Sequence, residues 1–147
     1  MKAILLVGGA SRGTRFRPLS LDLPKPLFPV AGDPIIWHHL RALSHVPDLR
    51  EVLIIGFFED YIFARLIDDA AREFPNMPVR YLREYTALGT AGGLYHFRDE
   101  ILKGDPGQFF VLHADVCCSF PLADMISSHM KHRGLCTILG TKVGVER

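Results

Sequence analysis

The sequence is poor in cysteine, in net charge and in long apolar runs. Cysteine occurs only at positions 117, 118 and 136, with no CxxC spacing and an odd total that cannot close a complete disulfide framework. A stapled secreted miniprotein is therefore excluded, and buried thiols in a reducing compartment are expected. The 17 lysines and arginines nearly balance the 16 acids, leaving a formal charge of +1. Overall charge thus offers no attraction to nucleic acid or to an anionic membrane, and neither is expected as a partner. No apolar run approaches the roughly 20 residues that cross a bilayer. The run at residues 3–7 stops at Gly8 and Gly9, too early for a signal peptide, so a cytoplasmic protein is expected. Internal repeats, low-complexity tracts and interdomain linkers are also missing.

What is present is a chain of 147 residues, 48% of them hydrophobic, enough for one domain with a real core. Short apolar runs alternate with amphipathic ones. KAILLV, EVLIIGF, PVRYL, QFFVLHAD and GLCTILGTK read as five strands. Between them, DPIIWHHLRALSH carries Ile36, Leu40 and Leu43 at helical spacing, with Asp33 as the expected cap and Pro34 in the first turn. DYIFARLIDDAAREF gives a second helix through Ile62, Leu66, Ile67, Ala70 and Phe74. TAGGLYHFRDEILK gives a third, weakened by Gly92 and Gly93, and LADMISSHMKHR a fourth. This order predicts an α/β fold: a Rossmann-like, mostly parallel sheet with helices on both faces and right-handed crossovers. The chain ends soon after the fifth expected strand without an obvious terminal helix, so a fragment of something longer is expected.

Directly after the first strand comes LLVGGASRGTRFRPLSLDLPKPLFPVAG, rich in glycine and in positive charge. In an open α/β sheet ligands collect beyond the carboxyl ends of strands. Gly8, Gly9 and Gly13 permit tight turns and close approach of a ligand to the backbone, where exposed amides cradle phosphate oxygens. Arg15 offers a planar fork and Lys25 a mobile point charge for phosphate. Neither the P-loop pattern GxxxxGK[ST] nor the dinucleotide pattern GxGxxG is present. Asp115 follows the apolar run FFVLHA, where a strand end can aim its carboxylate across a ligand crevice; its alternative role is to cap the next turn.

The blocks GG…GTRFRPLS…LPKPLFPVAG, VRYLRE…LGTAGGLYHFRD and FFVLHADVCCSFPL together resemble the signature of the sugar-nucleotide pyrophosphorylases, nearest the alpha branch of the eukaryotic GDP-mannose pyrophosphorylases. The resemblance covers nearly the whole chain. It implies a nucleotidyltransferase that joins GTP and mannose 1-phosphate into GDP-mannose and releases pyrophosphate. It places Gly8, Gly9, Gly13 and Thr14 against the nucleotide, Arg15 on the β- and γ-phosphates and Lys25 near the reacting α-phosphorus. Gly89, Thr90 and Gly92 fall near the nucleoside and sugar, and Asp115 becomes a ligand of magnesium (Mg2+). Residues 1–147 are then the N-terminal nucleotide-binding part of a transferase domain, without the sugar-binding remainder and the C-terminal left-handed β-helix. Homo-oligomers and a catalytic beta subunit are the implied partners.

One departure bears on activity. Catalytic members read GGxGTR, whereas GGASRGTR here puts three residues between Gly9 and Gly13. A longer loop shifts phosphate donors, and a displacement of about 1 Å can cost around a hundredfold in rate. The alpha-like proteins share this loop, and their animal members resemble regulatory subunits that sense GDP-mannose. Three readings stay open: a guanylyltransferase, a weak or inactive regulatory subunit, and a structural or partner-binding module without ligand. This chain by itself is expected to be inactive.

Other residues carry less. His38 and His39 are adjacent and cannot share a helix face, and His129 and His132 lack a third ligand, so zinc is not expected. Cys117 and Cys118 have no evident base to make a nucleophile. His113 is expected to pack as a neutral side chain, with lining of the site as its alternative. Trp37 and the aromatics at 57, 58, 61 and 63 are expected in the core, although Phe57 and Phe58 cannot both face inward on a regular strand.

Overall fold

The computed structural model describes residues 1–9, 16–21 and 23–142. Its main sheet contains β1 (Lys2–Gly9), β4 (Glu51–Phe57), β5 (Val79–Arg83) and β6 (Phe109–His113). The order is β5-β4-β1-β6 and every pairing is parallel. A second, two-stranded ribbon pairs β2 (Pro29–Val30) with β3 (Asp33–Pro34) through Ala31 and Gly32. Both turn residues have positive φ, 52° and 93°, which is the primed turn that matches strand twist. The helices are α1 (Ile35–Ser44), α2 (Asp60–Glu73), α3 (Gly89–His96), α4 (Arg98–Leu102) and α5 (Leu122–His132).

Strand alternation sorts the core into two layers. Ala3, Leu5, Val7, Val52 and Ile54 point to one face and meet Ile36, Leu40 and Leu43 of α1, Phe63, Leu66 and Ala70 of α2, and Leu122 of α5. Ile4, Leu53 and Ile55 point to the other face and meet Ile101 of α4, with Leu94 and Phe97 packed alongside. Helices therefore cover both faces, and the Rossmann-like α/β architecture expected from the alternation is present. Beyond Lys2 and Glu51 at their first positions, β1 and β4 carry no charged or polar side chain, because both of their faces are buried, as a parallel sheet requires.

Several expectations need correction. Residues 134–142 form no strand; Leu135 and Ile138 are fully or almost fully exposed, at 106% and 86%, and no described strand pairs with them. Apolar content without a paired edge is not enough to make a strand. Asp33 does not cap α1. It belongs to β3 and pairs with Arg41 at 3.0 Å, while Pro34 occupies the position before the helix with φ −54° and ψ 144°. The helix expected over residues 90–103 is two helices, because Phe97 leaves helical geometry at φ −96°, ψ 18°. The cysteines are not buried: all three thiols are exposed, Cys117 and Cys118 in the loop after β6 and Cys136 in the unpaired segment. Among the aromatics, Trp37, Phe58 and Phe63 lie in the core, but Tyr61 is exposed on α2.

Candidate functional site

The chain runs from β1 outward to β4 and β5, then returns to β6 on the other flank of β1. Connections thus diverge between β1 and β6, the kind of switch point at which open α/β sheets bind ligands. A cleft of about 710 Å³ opens there, beyond the carboxyl ends of the strands. Its lining includes Gly8 and Gly9 from β1, Phe57 from the end of β4, Glu84 after β5, and His113 and Asp115 from and after β6.

The cleft floor depends on how β1 ends. The β1–β4 register slips between Leu6 and Gly8, a bulge that Gly8 accommodates with φ +70°. Across from it, a side chain on Gly56 would collide with Val7 and with the Gly8 carbonyl. Tyr81 braces the same corner: its hydroxyl lies 2.9 Å from the carbonyls of Gly56 and Phe58 and accepts the Phe58 N–H at 2.9 Å. Burial pushes that phenol up to about 12, with the bond donated by the Phe58 N–H opposing.

Lys25 opens a 3-10 turn, Lys25–Leu27, flanked by Pro24 and by the buried Pro26. Proline on both sides restricts the backbone and leaves the lysine stem to reach into the cleft. Its ammonium donates to Asp115 Oδ2 at 2.8 Å and lies 6.0 Å from the Phe16 ring centroid. Phe16 stands edge-on to Phe28 at 5.1 Å. Asp115 is reached because the Ala114 N–H donates to the Leu6 carbonyl at 3.0 Å, extending the parallel ladder one residue past β6. Partial burial raises the Asp115 carboxyl, but the Lys25 hydrogen bond and charge, together with a backbone bond, hold it below its ordinary value. A cation and an anion separated by 90 residues in sequence thus meet at the mouth of the cleft.

Lys25, Asp115, Gly8, Gly9, Gly89 and Thr90 all line this one cleft. Gly92 does not; its α-carbon faces Leu88. Gly13, Thr14 and Arg15, and the Ala10–Arg12 insertion, lie outside the described residues. His113 was expected to pack; it is exposed and borders the cleft instead. Phe57, the last residue of β4, and Phe58, just past it, both border the cleft, but Phe58 is buried and Phe57 is exposed. Sequence reasoning missed Glu84 and Phe16. Glu84 is buried at the cleft wall, its N–H donating to the Gly56 carbonyl at 2.8 Å. The available signal was an acid ending the alternating strand VRYLR. Among the described residues, no group of three or more histidines, cysteines and acids could hold a metal ion.

Residues 2–147 match the model of the nucleotidyl transferase family. The chain belongs to that family. It is 54% identical over 142 residues to the mannose-1-phosphate guanylyltransferase regulatory subunit alpha of Dictyostelium discoideum, covering 97% of this chain and 34% of that protein. The human protein of the same name is 54% identical over 96% of this chain. A probable mannose-1-phosphate guanyltransferase of Schizosaccharomyces pombe is 52% identical over 98% of this chain and 35% of its own length. The chain therefore spans about a third of the length of the curated relatives it matches. Among solved structures, a putative glucose-1-phosphate thymidylyltransferase from Bacillus anthracis superposes with a TM-score of 0.73 at 24% identity, covering 89% of this chain and 50% of that one. A UDP-glucose pyrophosphorylase superposes with a TM-score of 0.66 at 19% identity, covering 90% of this chain and 54% of that one. These two likenesses establish the nucleotide-diphospho-sugar transferase fold. No described helix is long and apolar enough to cross a membrane.

Proposed function

We propose that this chain is the nucleotide-binding part of a mannose-1-phosphate guanylyltransferase-like protein, binding GTP or GDP-mannose within a longer polypeptide. The observation that carries the reading is the Lys25–Asp115 pair at the switch-point cleft, beside Gly8 and Gly9. A nucleotide's phosphates need a cation and close approach to backbone; Lys25 is the cation, and Gly8 and Gly9 line the same cleft. In the reaction, an oxygen of mannose 1-phosphate bonds to the α-phosphorus of GTP as the bond to pyrophosphate breaks. Such a transfer needs alignment and charge neutralisation more than a protein nucleophile.

Asp115 fits a magnesium ion only as one ligand among several, since no described cluster completes a metal site. Magnesium keeps waters and takes phosphate oxygens, so a single carboxylate suffices when the ion arrives with the triphosphate. Bound there, the ion would neutralise phosphate charge. Lys25 would then exchange its Asp115 contact for a phosphate oxygen, as the resemblance assigns it.

A second reading has its own support. Two of these relatives are named as regulatory subunits, and GGASRGTR is longer than the catalytic turn. In that reading the same cleft senses GDP-mannose without turnover, and the full-length protein acts on a catalytic beta subunit. Calorimetry of the full-length protein with GTP, ATP and GDP-mannose tests the shared part; negligible heat with all three removes both readings and leaves a structural module. Pyrophosphate release from GTP and mannose 1-phosphate with magnesium separates the two. Turnover supports the transferase. Binding of GDP-mannose without turnover, with a changed beta-subunit rate, supports the regulator.

A further inference from the structure

The adjacent histidines of α1 have no role in the chemistry above, yet they reach the two segments that carry the charged pair. The His39 ring is fully buried, with Nε2 3.2 Å from the carbonyl of His113 and Nδ1 3.0 Å from that of Ile35. His113 lies two residues before Asp115, and its carbonyl also accepts the Val116 N–H at 3.2 Å. Phe120 closes over the imidazole at 4.6 Å between ring centres. His38 turns the other way, and its Nε2 lies 2.9 Å from the carbonyl of Val30 in β2. The ribbon containing Val30 follows the Lys25 turn and is tied to α1 twice more, by the Ile35 N–H to the Phe28 carbonyl at 3.0 Å and by Arg41 to Asp33.

The geometry points to His39 and His38 as positioning residues that hold the Asp115 and Lys25 segments at a common distance from one helix. Consecutive helical side chains diverge by about 100°. One dipeptide on α1 can therefore hold segments on two sides of the helix, which a pair sharing a face could not. His39 is the stronger of the two, because it is sealed from water and competes with none. Its role needs the tautomer with the proton on Nε2, donating to the His113 carbonyl. A neutral ring has only one N–H, so it cannot donate to Ile35 at the same time. The inference rests on the nucleotide reading for its effect on binding, but not for its effect on the backbone.

The test uses three substitutions at His39 in the full-length protein. His39→Phe keeps the ring and loses both nitrogens. His39→Asn keeps a donor near Nδ1 only. His39→Gln places an amide donor near the Nε2 position. Amide hydrogen exchange at Val116, measured against Ile54 in the core, is expected to rise about tenfold in the Phe and Asn proteins and to stay within about threefold in the Gln protein. Affinity for GTP with magnesium is expected to follow the same order. His38→Ala is expected to produce a smaller loss of affinity without altering Val116 exchange. Equal exchange in all three His39 variants, or a uniform rise that includes Ile54, overturns the inference in favour of general packing. If the unsubstituted protein binds no nucleotide, the functional reading fails, while the exchange pattern at Val116 still decides the positioning role.

Discussion

The two ends of the parallel sheet both carry charged clusters, and they are built on opposite plans. At the amino end, Lys2 is buried with its ammonium 2.6 Å from Glu51 and 2.6 Å from the Glu100 carbonyl. Arg80 closes the network, reaching Glu51 at 3.1 Å and Glu100 at 2.9 Å. Lys2 and Arg80 are thus held by acids, and three elements, β1, β4 and β5, are cross-tied to α4. At the carboxyl end, Lys25 and Asp115 form a single pair whose side chains are 36% and 44% exposed, and it borders a cleft. A closed network stabilises and cannot easily exchange partners. An open pair is weak as a strut but can trade its partner for a ligand. On the proposed reading, the sheet keeps stability at one end and leaves ligand exchange to the other.

The largest way to break this contrast is at the amino end. Glu51→Ala leaves the Lys2 ammonium buried with only the Glu100 carbonyl for company. Removing one partner of a buried pair costs about 3–5 kcal/mol. Urea denaturation is expected to show a loss of that order, with affinity for GTP or GDP-mannose in the remaining folded protein unchanged. A loss below about 1 kcal/mol would mean that the network is solvated and the contrast is false.

At the carboxyl end the effect should fall on binding instead. Lys25→Ala removes a charge-assisted contact worth roughly 1.5–3 kcal/mol to a phosphate. Calorimetry on the full-length protein is expected to show a correspondingly weaker association with GTP, on the order of tenfold or more. Thermal stability should barely move, since exposed ion pairs contribute about 0–1 kcal/mol. Unfolding of the variant with intact ligand affinity would reverse the assignment of the two ends.

How much of this was legible in sequence follows from range. Period-two and helical patterns are local, so β1, β4, α1 and α2 could be read from their own residues. The glycine turn and LPKPL were visible for the same reason. The Lys25–Asp115 contact was not readable from spacing, because 90 residues separate the partners and only the β6–β1 pairing brings them together. Only the resemblance had put both residues in one site. Glu84 was missed because an acid at a strand end usually faces water, and its burial depends on the packing of α3 and β4 around it. Residues 134–142 misled in the opposite direction. Their composition is strand-like, but a strand is defined by the edge it pairs with, and no described edge receives them.

Between the two ends, Tyr81 links sheet stability to the cleft corner. Tyr81→Phe removes the hydroxyl that holds Phe58 N–H and faces two carbonyls, at an expected cost of about 1 kcal/mol. Its pH signature is more specific. The folded phenol is pushed up to about 12 from an ordinary value of 10.0, so the folded state keeps its proton where the unfolded chain has lost it. Stability should therefore decline as pH rises through this window. The decline should be reduced in Tyr81→Phe when the two proteins are compared by alkaline denaturation. Parallel curves would show that the phenol ionises alike in both states.

The smallest expected effect sharpens the contrast most directly, because it reads the open pair without a ligand. The Asp115 carboxyl sits below its ordinary value of 3.8: burial opposes the charge, but the Lys25 bond and charge outweigh it. A depressed acid contributes stability that is present above the unfolded value and is lost as pH falls through the folded one. The contribution should thus disappear below about 3.8. Both partners are more than a third exposed, so solvent screens the pair and its share should stay under about 1 kcal/mol. Asp115→Asn keeps the shape and removes the charge. Urea denaturation from pH 7 to pH 3 should show a slightly shallower acid loss in the variant, and 1 M salt should shrink the difference, since the Debye length there is about 3 Å. The Lys2–Glu51 pair is the internal control. It is sealed on the lysine side, so salt should leave its contribution nearly intact. If salt weakened both ends equally, the amino-end network would be as open to water as the cleft, and the division of labour between the two ends of the sheet would not hold.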